Sequence, residues 1–164
     1  MSLIISMATF ALVFSWLAAL LIIAILFIHE LGHLLAYRLI GQPWGRMLFL
    51  PFLGGIALPR LPFETQASAV FAALMGPGFS AFFTVLCAIV FYLTGGTHDL
   101  LMRTGLIFVL INLFNLLPVE PLDGGIALRS VLSRMLGSFA RYGLLAVGVA
   151  IIIAGFWYSM IILV

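Results

Sequence analysis

The sequence predicts an all-α polytopic membrane protein, with about four transmembrane helices, a re-entrant apolar hairpin and a broken helix, and three observations carry that prediction. Of the 164 residues, 65% are hydrophobic and 7% are charged, against roughly 25% charged in an ordinary soluble domain. The mean hydropathy is +1.35. The apolar residues fall in long runs separated by short breaks containing Gly and Pro. At ~20 apolar residues per span, the length accommodates about four spans in a single membrane domain, residues 1–164, without an appended soluble domain. A net charge of +2 argues against a nucleic-acid partner, and the lipid bilayer is the expected environment. Cys87 is the one cysteine, which excludes an internal disulfide and a cysteine-rich zinc cluster. No basic stretch precedes the first apolar run, so a cleaved signal peptide is not expected.

The first element is a helix over about residues 8–40. Leu3 to Ile28 holds no charge, Gly or Pro, and the apolar character continues past His29 to Ile40. Trp16 and Arg38 are natural headgroup markers, and the rise between them is about 33 Å, close to the ~30 Å hydrocarbon thickness. Residues before Trp16 then protrude or lie at the interface, and a break near Ser6 to Thr9 is the alternative to one continuous helix. Gly41 to Phe63 is too rich in Gly and Pro for a helix. Gly54 and Gly55 lie between two short apolar runs, which predicts a hairpin over about 47–61 turning at those glycines. Pro51 and Pro59 would each remove a ladder donor, marking edge-like strands. An apolar hairpin between two spans is expected to be re-entrant.

A second span is predicted over 65–93, interrupted at Gly76, Pro77 and Gly78. Its small residues Ala69, Ala72, Ala73, Gly76, Ser80 and Ala81 recur at three- and four-residue spacings, and close helix packing is their expected role. A third span over 100–117 stops at Pro118 to Pro121, after which Asp123, Gly124 and Gly125 open a short helix over 124–136. The last span covers 139–162. Arg38, Arg46, Arg60, Arg129, Arg134 and Arg141 fall on one side of this layout and Arg103 on the other. The positive-inside rule makes the crowded side cytoplasmic and places both termini outside. Trp16, Tyr92, Trp157 and Tyr158 then form the aromatic belt of the opposite face.

Chemistry concentrates in His29, Glu30 and His33, which spell HELGH. A four-residue spacing puts both imidazoles on one helix face, where they can share a zinc ion, and Glu30 stands one residue round, able to take a proton from an attacking water. The chance expectation for the pattern in this composition is on the order of one in a thousand. The competing reading, two interfacial histidines and a snorkelling glutamate, is weak because Glu30 lies about 12 Å inside the Arg38 boundary, where an unpartnered carboxylate is expensive. A catalytic zinc needs a third protein ligand. The candidates are His98, Asp99, Glu64, Glu120 and Asp123. Asp123, beside the proline break on the cytoplasmic side, is the preferred one, with the cap of the following helix as its other reading.

HELGH on a membrane helix, followed by FNLLPVEPLDGG with Asn115, Pro118, Pro121, Asp123, Gly124 and Gly125, resembles the site-2 protease family of intramembrane zinc metalloproteases, in a minimal form without a PDZ or CBS domain. The resemblance spans about Leu21 to Leu136. It implies that His29, His33 and Asp123 hold zinc, that Glu30 is the general base, and that Asn115 and Pro118 take part in substrate binding. Gly54 and Gly55 belong to a hairpin on whose edge an extended substrate segment could add as a strand. Two positions depart from the pattern. Glu120 stands where many relatives have proline, and it is expected to face the cytoplasm rather than compete for the metal or tune its charge. Ser80 stands where an asparagine often follows the Gly-Pro. The implied function is zinc-dependent cleavage of a transmembrane segment of a membrane-protein substrate near the cytoplasmic side, as in regulated intramembrane proteolysis, in a prokaryotic cell membrane. The alternative is a non-catalytic zinc-binding membrane protein, a scaffold or transporter.

Overall fold

The computed structural model describes residues 2–51, 54–137, 139–140 and 142–150. It is mostly helical. In chain order it contains α1 (Ser2–Val13), α2 (Trp16–Leu39), β1 (Arg46–Leu50), β2 (Gly54–Leu58), α3 (Gln66–Leu93), α4 (Asp99–Asn115) and α5 (Asp123–Leu136). Residues 139–140 and 142–150 are also helical, and the end of the expected last span, 151–162, lies outside the described residues. Among the described residues, two helices, α2 and α3, are long and apolar enough to cross a membrane. At 1.5 Å per residue they extend about 36 Å and about 42 Å, whereas α4 extends about 26 Å.

The single helix expected over 8–40 is two. Ser15 adopts an extended conformation and its side chain accepts a hydrogen bond from Ala18 N–H, which caps α2 and ends the continuity with α1. The break therefore falls at Phe14 and Ser15, not near Ser6 to Thr9. Apolar composition alone does not register it, because one capping hydroxyl suffices. Trp16 then heads α2 and Arg38 occupies its last turn. Thr65 caps α3 in the same way, accepting from Ser68 N–H at 3.0 Å.

β1 and β2 form an antiparallel pair with Leu50 opposite Gly54 and Arg46 opposite Leu58. The glycines thus sit inside β2, and the chain reverses between Leu50 and Gly54. This differs from a turn at Gly54 and Gly55. Gly54, at φ 103°, is the residue able to start the returning strand in a conformation unfavourable to a Cβ. Pro51 and Pro59 both fall just outside the paired residues, so neither removes a donor from the ladder, contrary to expectation, while both strands are edge strands, as expected, because the sheet has two. One hairpin face carries Met47, Phe49, Gly55 and Ala57 and is turned inward. The other carries Leu48, Ile56 and Leu58, all exposed.

Phe49 packs with Ile23 and Leu26 of α2, and Met7 and Phe10 of α1 and Ile111 of α4 join them. A second cluster joins Ala36 and Tyr37 of α2 to Ala72 of α3, with Ala57 of β2 and Phe63 beside it. The Tyr37 hydroxyl donates to the Ala57 carbonyl at 3.0 Å, fastening β2 to α2. α2 and α3 approach closely at Gly32, where a Cβ would run into the Met75 carbonyl and, at 2.7 Å, Phe79 Cβ. Polarity is distributed inside out: His29, Glu30, Ser80 and Asn112 are buried while Leu20, Phe27, Phe71, Phe82 and Ile89 are exposed. Such an arrangement suits a hydrocarbon surrounding and would be a large apolar patch in water.

Candidate active site

The register of α2 sends His29, Glu30 and His33 into the protein interior, where His29 is 1% exposed. Helical geometry stacks residues four apart on one face, and the two Nε2 atoms lie 3.3 Å from each other. α4 ends at Asn115, two residues earlier than expected, and the chain doubles back before α5. That reversal is tight enough that a Cβ on Gly124 would meet the Leu116 carbonyl and one on Gly125 would meet Val119. Glycine at both positions is what lets α5 begin against the turn.

Asp123 is the first residue of α5. Leu122 occupies the cap position and no side-chain cap bond forms, so the capping role is not the one this carboxylate takes. Its Oδ2 lies 3.0 Å from His29 Nε2 and its Oδ1 lies 3.3 Å from His33 Nε2.

Both imidazoles are oriented from behind. His33 Nδ1 lies 2.7 Å from the Ala72 carbonyl. A carbonyl can only accept, so Nδ1 carries the hydrogen and the Nε2 lone pair points inward. His29 Nδ1 lies 3.4 Å from Asn112 Oδ1 and 3.4 Å from Ser80 Oγ. Two inward-facing nitrogen lone pairs and a carboxylate then share one point, an arrangement that a cation stabilises and an apolar group would not. For an ion bound tetrahedrally by nitrogen and oxygen at ~2.0–2.2 Å, donors stand about 3.3 to 3.6 Å from each other. The two nitrogens stand 3.3 Å apart, the nearest carboxylate oxygens lie 3.0 Å and 3.3 Å from one nitrogen each, and one ligand atom from each residue lies within 4.8 Å of the others. Three protein donors of this kind are the ligand count of a catalytic zinc site with its fourth position open.

Glu30 stands on the hairpin side of α2. A Cβ on Gly55 would lie 2.6 Å from its Cγ and 2.8 Å from its Oε1, so only glycine leaves the carboxylate where it is. α3 closes the other side: a Cβ on Gly76 would overlap His33 Nε2. The small residues of α3 therefore do more than pack, since Ala72, Gly76 and Ser80 touch the histidines.

The remaining expected residues lie in other settings. Asn115 donates from Nδ2 to the Ile111 carbonyl of its own helix at 3.0 Å. Pro118 is half-buried in the turn before α5, and Gly54 faces Leu26. Glu120 pairs with Arg129, Oε1 to Nε 2.7 Å, outside the histidine cluster. His98, Asp99 and Glu64 are exposed, and among the described residues the group able to hold a metal is His29, His33 and Asp123. Asn112 is the residue that sequence reasoning missed. It is 9% exposed, and the available signal was an amide in the middle of an apolar run, one turn before Asn115.

No protein-family model matches the chain. Over 114 residues it is 32% identical to a zinc metalloprotease of Methanocaldococcus jannaschii, an alignment that covers 67% of this chain and 32% of that protein. The chain thus spans about a third of the length of this curated relative. Its fold is similar to the solved structure of the site-2 protease from Methanocaldococcus jannaschii, with a TM-score of 0.69 at 22% identity, covering 97% of this chain and 76% of that one.

Proposed function

We propose that the chain is a member of the site-2 protease family and a zinc-dependent intramembrane endopeptidase that cuts a transmembrane segment of a membrane-protein substrate near the cytoplasmic side, a reading supported by its likeness to a zinc metalloprotease and to a site-2 protease fold. The observation that carries this reading is the convergence of His29 Nε2, His33 Nε2 and the Asp123 carboxylate to within 3.3 Å of one another, with two of the three on an apolar membrane-length helix that also bears Glu30.

His29, His33 and Asp123 would hold zinc, which supplies Lewis-acid polarisation and acidifies a water. Glu30 accepts the proton of the attacking water and returns it to the leaving amine nitrogen. Gly55 gives its carboxylate room, and the burial of the site among α2, α3 and the hairpin limits bulk water around it. A helical substrate hides its peptide bonds in its own hydrogen-bond ladder, so it must unwind locally, and the hairpin is the element to which an extended segment would add. Asn115 and Pro118, at the end of α4 and in the following turn, are the further substrate contacts in this reading. In this reading the membrane layout is the four expected spans, α2, α3, α4 and the apolar segment expected over 139–162, with the Arg-rich connections and the site toward the cytoplasm.

The test pairs metal content with cleavage of a single-span membrane protein carrying helix-weakening Gly and Pro residues in its span, both proteins in proteoliposomes. Wild type should carry about one zinc per chain, and Glu30→Gln should keep that zinc while cleavage falls by about 10²- to 10⁴-fold. Undiminished cleavage by Glu30→Gln, or a folded wild type that takes up no zinc, would refute the proposal.

A further inference from the structure

The buried polar groups behind His29 come from two other helices. Ser80 of α3 is fully buried, and Asn112 of α4 is nearly so. Ser80 Oγ and Asn112 Oδ1 are in close hydrogen-bond contact, and since an amide oxygen has no hydrogen, the serine hydroxyl donates. The Ser80 oxygen also lies 3.0 Å from the Gly76 carbonyl and 3.2 Å from the Pro77 carbonyl, which compete for the same hydrogen. With the hydroxyl hydrogen committed to Asn112, both oxygens present lone pairs to the same atom, His29 Nδ1, each at 3.4 Å.

We propose that Asn112, held in place by Ser80, is the positioning residue for His29: its amide oxygen accepts the Nδ1 hydrogen, fixes the ring's tautomer and rotation, and so aims Nε2 at the metal. His33 has its orientation set by a backbone carbonyl of α3, whereas the groups facing Nδ1 of His29 are side chains, Asn112 of α4 and Ser80 of α3. This explains an asparagine and a serine facing each other across an interface of two apolar helices, a costly choice if packing were the only demand. Ligating histidines ordinarily give their second nitrogen's hydrogen to such an acceptor, and its loss typically weakens metal binding by about 10- to 100-fold. The inference rests on His29 being a metal ligand, as the proposed function requires.

The experiment measures the apparent zinc Kd of the full chain in detergent by competition with a chelator, for wild type, Asn112→Leu, Asn112→Asp and His29→Ala, alongside each variant's thermal midpoint. Asn112→Leu removes the acceptor while keeping the branching of the side chain and should raise the Kd by about 10- to 100-fold. Asn112→Asp keeps an oxygen facing Nδ1 and should stay within about threefold of wild type, a rescue that a packing role would not give. Should the leucine variant fail to fold, Asn112→Ser, whose hydroxyl is too short to reach the ring, carries the same expectation. If Asn112→Leu binds zinc like wild type while His29→Ala does not, the positioning role is wrong and the proposed function stands. Equal loss in the aspartate and leucine variants also overturns the positioning role. Undiminished binding by His29→Ala overturns both.

Discussion

Gly55→Ala is a perturbation whose effect follows from distances at the site. The added Cβ would lie 2.6 Å from Glu30 Cγ, 2.8 Å from Oε1 and 2.9 Å from Cδ, whereas carbon atoms in contact prefer about 3.5 to 4.0 Å. Something must yield by about 1 Å. The strand is poorly placed to do so: Gly55 is paired with buried Phe49, and two residues on, Ala57 is tied to α2 by the Tyr37 hydroxyl. The Glu30 side chain, free to rotate about its own bonds, is the softer partner. A 1 Å misplacement of a catalytic group costs on the order of 10²-fold in rate, equivalent to about 2.7 kcal/mol of barrier. Because neither histidine nor Asp123 is touched, zinc content should remain at the wild-type level. The assay is cleavage of the single-span test substrate in proteoliposomes, with zinc measured on the same preparation. Activity within about threefold of wild type would refute the steric reasoning, and loss of zinc would show that the hairpin supports the metal ligands rather than the base.

Three further predictions follow from neighbouring contacts. Gly76→Ala places a methyl group on His33 Nε2, a ring already pinned to the same helix through Ala72, so zinc affinity should drop by at least about tenfold in chelator competition. Asp123→Ala removes the one anionic donor and should leave markedly less than one zinc per chain by elemental analysis, whereas equal zinc in variant and wild type would return this residue to a purely structural role. Glu120→Gln breaks the pair with Arg129, whose side chain is 47% exposed. Its effect on thermal stability should stay under about 1 kcal/mol with zinc content unchanged, and a loss of zinc would place Glu120 at the metal after all.

Much of the site could be read along the chain because its geometry is local. The spacing of His29 and His33 dictates a shared helix face wherever a helix forms, and Glu30 follows by one position. The glycines after Asp123 could be recognised as a helix opening, but not their reason, which is the carbonyls of Leu116 and the backbone at Val119 pressing against them. Gly54 and Gly55 invited the opposite error. Their composition says turn, yet the pairing of Leu50 with Gly54 puts both in a strand, where one adopts a positive φ and the other makes way for Glu30. The break at Ser15 was equally hidden, since a single cap leaves the apolar pattern unaltered.

The sequence by itself therefore determined the class of protein, the segments apolar enough to cross a membrane, and the pair of imidazoles on one helical turn, because each depends on composition or on residues within four positions. Tertiary structure decided how that turn is met: Asp123 could be preferred as a third donor from the chain, but its contact geometry, and Asn112 altogether, could not be read there. Asp123 reaches His29 across 94 residues and Asn112 reaches it across 83, and neither separation is encoded in any local period. Those encounters depend on how closely α2, α3 and α4 approach and where α5 starts, which the close contacts at Gly32, Gly76, Gly124 and Gly125 set through the absence of a Cβ. Helical periodicity fixes which way a side chain faces, and only packing fixes what it faces.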